Sequence, residues 1–186
     1  MVGLGNPGPE YAASRHNAGF LVVEEIQRRA GAGRWRKQWE GSVVDVEVGG
    51  RAVCLLRPMT YMNLSGRAVG RAARHVGAAP DEVLVVHDEV DLEFGLVKVK
   101  QGGGDAGHRG VQSVIGALGS REFARVRVGV GRGTGDTADW VLEEFSRAER
   151  GDLEGIVGRA ADAVEAVISD GVTAAMNRFN TRRRDA

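Results

Sequence analysis

Only Met1 and Val2 precede the glycine-rich run Gly3-Leu-Gly-Asn-Pro-Gly8. Glycine tolerates backbone angles that other residues avoid, so such a run ends a strand and turns the chain sharply. The run therefore makes Asn6 part of a loop that follows a first strand. In open α/β sheets, loops at the carboxyl ends of strands form the ligand-binding rim. A buried strand usually holds ~5–6 residues, which leads to the expectation that the first strand continues upstream of Met1. Two more Gly/Pro-rich stretches, 102–110 and 129–135, also read as loops.

Between these loops the apolar pattern is mixed. Residues 20–30 carry Phe20, Val23, Glu24, Ile26 and Gln27 in a helix-like pattern, and Ser65 opens a second helix with Ala68, Val69, Ala72, Ala73 and Val76 on one side. Ser42–Val48 and Ala52–Leu56 read as strands joined by a Gly49-Gly50 turn. Val83–His87 reads as a buried strand. Leu96–Lys100 alternates, with Lys98 and Lys100 on one face. Arg125–Val130 alternates too, with Val126, Val128 and Val130 inward and Arg125 and Arg127 outward. Ser146 and Glu149 form a capping-box pattern that starts a last helical region reaching about Phe179. The pattern predicts an α/β fold: one globular domain over 1–180, a mixed, mostly parallel twisted sheet flanked by helices, and a basic tail over 181–186. At 186 residues the chain fits a single domain of ~100–200 residues.

The longest apolar runs fall far short of the ~20 residues of a membrane helix, and no charged segment followed by an apolar core marks a signal peptide at the start. The one cysteine, Cys54, allows no internal disulfide and fits a reducing cytoplasm. The net charge is zero, yet its distribution is uneven. Seven basic residues between Gly95 and Gly135 face only Asp105 and Glu122. From Asp136 to Asp170 the balance reverses, with ten acidic residues against Arg147, Arg150 and Arg159. Such asymmetry hints at a local polyanion site.

Several polar residues fall on one rim. Asn6 follows the first strand, Arg15-His-Asn17 precedes the first helix, Asn63 lies beyond the strand 52–56, and Asp88 ends the strand 83–87. A neutral imidazole can take a proton from water. A carboxylate on its other nitrogen fixes the tautomer and favours the protonated intermediate. Asparagine amides supply both donors and acceptors to an ester or amide. His16, Asp88, Asn6 and Asn63 thus point to water-mediated acyl transfer. His87 ranks second as a base, because its side chain should leave the strand on the face opposite Asp88; His75 reads as structural. No G-x-S-x-G nucleophile elbow occurs, and Cys54 has no basic neighbour to activate it. No H-x-x-x-H, H-E-x-x-H or cysteine pair suggests a metal, and the reading calls for no cofactor.

Gly3-Leu-Gly-Asn-Pro-Gly8 also matches the dinucleotide fingerprint G-x-G-x-x-G. The fingerprint requires a helix at the third glycine, but Pro9-Glu-Tyr-Ala-Ala-Ser-Arg-His intervenes. Glu24 and Glu25 lie within the helix rather than at the end of a second strand.

Taken in order, five motifs resemble the bacterial-type peptidyl-tRNA hydrolases. They are Gly3-Leu-Gly-Asn-Pro-Gly-Pro-Glu-Tyr, Ser14-Arg-His-Asn-Ala-Gly-Phe, Arg57-Pro-Met-Thr-Tyr-Met-Asn-Leu-Ser-Gly, His87-Asp-Glu-Val-Asp-Leu and Met176-Asn-Arg-Phe-Asn. The resemblance runs from about Val2 to Asn180. It implies a monomeric, cytoplasmic, cofactor-free hydrolase of the ester between a peptide and the 3′-terminal ribose of tRNA. By motif position His16 resembles the general base, Asp88 its orienting carboxylate, and Asn6 the residue that separates blocked from free aminoacyl-tRNA. Tyr11, Tyr61 and Asn63 fall at substrate-binding positions, the family often having Phe where Tyr61 stands. Lys100 and Arg127 match basic positions that grip a tRNA phosphate. The chain departs at Gly107-His-Arg-Gly110, where the family usually reads Gly-His-Asn-Gly. Arg109 has no acceptor and cannot copy an asparagine that accepts a hydrogen bond; binding tRNA is the role expected of it. Some relatives act as RNA-binding factors without hydrolysis; His16, Asp88, Asn6 and Asn63 favour the enzyme.

Overall fold

The computed structural model describes residues 1–181. Seven strands form one sheet: β1 (Val2–Gly3), β2 (Arg36–Gln38), β3 (Gly41–Val48), β4 (Arg51–Pro58), β5 (Leu84–Glu89), β6 (Val97–Gln101) and β7 (Ala124–Gly129). The helices are α1 (Ala18–Arg29), α2 (Ser65–Val76), α3 (Arg109–Leu118), α4 (Thr137–Leu142), α5 (Arg147–Asp170) and α6 (Val172–Phe179). The strand order is β2-β3-β4-β1-β5-β7-β6. The mixed sheet matches the expectation, with one correction to its balance. Parallel pairing joins β4 to β1, β1 to β5 and β5 to β7, whereas β2–β3, β3–β4 and β6–β7 are antiparallel. Antiparallel pairing joins more residues in all, because the β3–β4 hairpin pairs along its whole length while β1 offers two residues; the parallel β5–β7 ladder is nonetheless longer than β6–β7.

Helices cover both faces. Val22 and Ile26 of α1, Ile156, Ala160 and Val164 of α5, and Phe179 of α6 pack with Leu84, Val86, Val126 and Val128. Ala68, Val69 and Ala72 of α2 and Val111 and Val114 of α3 pack with Val85, Val43 and Leu56 on the other side. β5 is therefore buried on both faces, which is why it reads as an unbroken apolar run. The first glycine loop also has a packing reason. A Cβ on Gly3 would overlap the Gly19 carbonyl, and one on Gly19 would overlap the backbone of Leu4 and Val86. These two glycines let α1 lie directly on β1 and β5, a job separate from phosphate binding.

The Ser146–Glu149 capping box starts α5 as expected. The helical region then breaks at Gly171 (φ 88°), so two helices, α5 and α6, stand where one continuous region was expected. Helices α3 and α4 and strand β2 were not foreseen. The N-cap of α3 is His108, not one of the usual small polar residues. β2 is a charged edge strand, Arg36-Lys-Gln38, with no apolar alternation. The other edge, β6, is covered by a side chain. Asn180 Oδ1 accepts from Val99 N and Asn180 Nδ2 donates to Val99 O, both at 2.8 Å. An amide thus stands in for the next strand and blunts the edge, which accounts for the last residue of the Met176–Asn180 motif.

Arg125 is a further correction. Alternation sets it on the same face as Arg127, but it is buried rather than outward. Its guanidinium donates to the carbonyls of Gly103 and Gly104, because the glycine loop folds back over that face. Burial lowers its pKa, and the neighbouring Arg127 adds to the effect. Of the expected basic tail, residues 182–186 lie outside the described residues. No described helix is long and apolar enough to cross a membrane.

Candidate active site

The residues Arg15–Asn17 form a 3₁₀ turn immediately before α1. His16 Nδ1 lies 3.0 Å from each carboxylate oxygen of Asp88, which sits near the carboxyl end of β5 and is 1% exposed. A carboxylate only accepts, so Nδ1 of the neutral ring carries the proton and Nε2 keeps its lone pair. His16 lines the cleft described below, where that lone pair is the basic atom.

Asp88 has a second partner that the sequence reading did not assign. His108 Nε2 lies 2.9 Å from Asp88 Oδ1. The other ring nitrogen, Nδ1, accepts from Gly110 N at 3.1 Å and Val111 N at 3.3 Å, capping α3. Two backbone donors at Nδ1 require a lone pair there. His108 is therefore the neutral tautomer with its proton on Nε2, donating to Asp88. Its sequence signal was a histidine in a glycine loop, at the stretch that resembles the family's Gly-His-Asn-Gly, and nothing in that spacing announces a cap. Burial alone would raise the Asp88 pKa; the facing His16 and His108 outweigh it and hold the carboxyl well below the usual range. The ligand-type atoms of His16, Asp88 and His108 lie within 4.8 Å of one another, a metal-like grouping. The tautomer of His108 directs an N–H, not a lone pair, at Asp88, so hydrogen bonding accounts for the cluster.

His87, the second candidate base, is 2% exposed. Its Nδ1 lies 2.6 Å from the Asp88 carbonyl and its ring stands edge-on to His108. Burial pushes its pKa well below the ordinary value, and it stays a neutral core residue. His75 packs against Trp39, in keeping with a structural role.

Asn6 is held by its backbone and half of its amide. Asn17 Oδ1 accepts from Asn6 N at 2.8 Å, Asn17 Nδ2 donates to Asn6 O at 3.0 Å, and Asn6 Oδ1 accepts from Met62 N at 2.8 Å. Asn6 Nδ2 is left as a donor for the cleft, which has a volume of about 530 Å³. Asn6, Tyr11, His16, Tyr61, Asn63 and Arg109 all line it, and Ala138, Val141 and Leu142 of α4 form an apolar stretch of its wall. Tyr61 is largely exposed at the mouth. Arg109 is exposed as the first residue of α3.

Lys100 and Arg127 do not line the cleft. They lie on the β6–β7 ladder, where Lys98 opposes Arg127 and Lys100 opposes Arg125. Four cations therefore share one face of the ladder. Arg127 is already paired, its Nη2 lying 2.9 Å from Glu89 Oε2.

The family model described as peptidyl-tRNA hydrolase matches residues 1–186. The chain belongs to the peptidyl-tRNA hydrolase family. It is 46% identical over 182 residues to the peptidyl-tRNA hydrolase of Frankia alni, covering 97% of this chain and 92% of that one. To that of a Mycobacterium species (strain KMS) it is 50% identical over 182 residues, covering 95% and 94%. The crystal structure of peptidyl-tRNA hydrolase from Acinetobacter baumannii superposes with a TM-score of 0.90 at 35% identity, covering 97% of this chain and 93% of that one. As a member of this family the chain is a hydrolase of ester bonds.

Proposed function

We propose that the chain cleaves the ester joining a peptide, or an N-blocked amino acid, to the 3′-terminal ribose of tRNA, and so recovers tRNA from prematurely released peptidyl-tRNA. The observation that carries this reading is the His16 imidazole, oriented by Asp88 and opening on a cleft that also holds the Asn6 amide. In this reading His16 Nε2 takes a proton from a water whose oxygen attacks the ester carbonyl carbon. Asp88 stabilises the imidazolium that forms. The tetrahedral intermediate collapses, and the ribose oxygen leaves with the proton returned by His16. Asn6 Nδ2 donates to the carbonyl oxygen of the first peptide group, and Tyr11, Tyr61 and Asn63 hold the acyl and ribose ends. Lys100 and Arg127 grip tRNA phosphate from the β6–β7 face, and Arg109 joins them at the mouth of the cleft.

In this reading the chain works as a monomer in the cytoplasm, a reading supported by His16, Asp88 and Asn6 all coming from one copy. The deciding experiment compares hydrolysis of N-blocked aminoacyl-tRNA with hydrolysis of the same tRNA carrying a free amine. Rapid release of tRNA from the blocked substrate alone is expected. Binding without turnover would make the chain an RNA-binding protein instead.

A further inference from the structure

Arg15 carries a full charge yet is 3% exposed, and it does not line the cleft. Burying a cation is costly unless it is paired and hydrogen-bonded. Here Nη2 lies 2.8 Å from Glu149 Oε2, and Nη1 reaches Glu143 Oε2 at 3.4 Å and the Trp140 carbonyl at 3.3 Å. The guanidinium also stacks 3.6 Å from the centroid of the Trp140 ring. The backbone repeats the connection. Arg15 N donates to Glu143 O, Phe145 N donates to Ala13 O, and Ser14 pairs with Glu144. These contacts tie the turn that carries His16 to α4, to the residues 143–145 that follow it and to the first turn of α5.

Helix α4 needs such a tie. It has six residues, of which only Val141 is buried. A helix this short has no stability of its own, so its neighbours fix its position. Trp140 Nε1 fastens it to Gly131 O at 2.8 Å, and Arg15 holds the Trp140 carbonyl and ring and the C-cap Glu143. Its cleft-facing Ala138, Val141 and Leu142 offer nothing to a phosphate but can pack against apolar side chains of a peptide. We propose that Arg15 is a positioning residue that sets the apolar α4 wall against the His16 turn, and thereby sets how tightly the peptide arm of the substrate is held. The proposal rests on the cleft being the seat of a peptidyl ester. Arginine suits the task because one planar group both stacks and donates in a fork; lysine supplies the charge without that geometry.

The test measures kcat, KM and the pH profile of kcat for wild type, Arg15→Lys and Trp140→Leu. The substrates are tRNA carrying an N-blocked amino acid and the same tRNA carrying a blocked tetrapeptide. For both variants KM for the tetrapeptide should rise roughly 10-fold, with a smaller rise for the single residue and little change in kcat, the signature of lost uniform binding. The pH profile should not move, because His16 and Asp88 are untouched. Trp140→Leu removes the stack and the bond to Gly131 O while leaving the Arg15 ion pairs, so it loosens the same α4 wall and the test survives if Arg15→Lys fails to fold. A fall in kcat with a shifted pH profile would mean that Arg15 acts through His16, and unchanged or substrate-independent KM values would also overturn the proposal. If wild type cleaves neither substrate, the functional reading itself fails, a result distinguishable from the others.

Discussion

Asn17 grips the backbone of Asn6 with both ends of its amide, at 2.8 Å to the nitrogen and 3.0 Å to the carbonyl oxygen. With Asn6 Oδ1 occupied by Met62 N, the side chain shows the cleft a donor and no acceptor. A fixed N–H donor suits the carbonyl of a blocked amino group and repels a free ammonium.

Asn6→Asp keeps the acceptor for Met62 N and replaces the donor by a carboxylate oxygen. The kcat/KM ratio of blocked to free aminoacyl-tRNA should shrink, from a discrimination that can reach ~10⁴-fold where a site is built around a hydrogen bond. A ratio equal to that of wild type would reduce Asn6 to scaffolding.

His16→Ala should lose roughly 10²–10⁴-fold in kcat with the fold intact. Asp88→Asn should also lose rate, because an amide no longer dictates the His16 tautomer. His108→Ala removes one donor to Asp88 and the α3 cap, so it should weaken both activity and stability. Circular dichroism beside single-turnover rates separates these effects, and near-normal turnover in folded His16→Ala would rule out its role as base.

Lys100→Ala should weaken full-length tRNA substrates and flatten the salt dependence by about 0.7 in slope per phosphate lost. Arg127→Ala should do less, because Glu89 already neutralises much of that charge. A blocked amino acid on a short 3′ fragment should barely respond to either change. Arg109→Ala should follow the Lys100 pattern; a salt-independent loss of kcat on both substrates would instead tie Arg109 to the chemistry.

His87 should make the fold acid-sensitive. Its folded pKa is lowered by burial, whereas in the unfolded chain it is near ~6.5. Below that pH the unfolded state binds a proton that the folded state refuses, so stability falls as pH drops through ~6.5, by up to ~1.4 kcal/mol per pH unit. Asp88, with its lowered pKa, contributes stability that is lost only when pH falls below the ordinary carboxylate range of ~4. His87→Phe should therefore flatten the change in urea midpoint between pH 7.5 and pH 5. An unchanged slope would assign the acid sensitivity elsewhere.

Local pattern by itself determined the buried β5, the β3–β4 hairpin, α1, α2 and the capping box at Ser146, because each is written in the period of its own apolar residues. It also brought Asn6, His16, Asn63 and Asp88 to one rim, since each follows a strand or precedes a helix at the same end of the sheet. The His16–Asp88 pairing agrees with that reading. Tertiary structure alone decided what covers each face and which donors are already used. Arg125 alternates with Arg127, yet a glycine loop distant in sequence buries it. His108 becomes a cap and a partner of Asp88 only because α3 begins beside the carboxyl end of β5, and Arg15 is a strap only because the chain after α4 returns to the turn at 13–15. Hydrogen bonds between residues 20 to 134 positions apart leave no period in the sequence, so packing decides them.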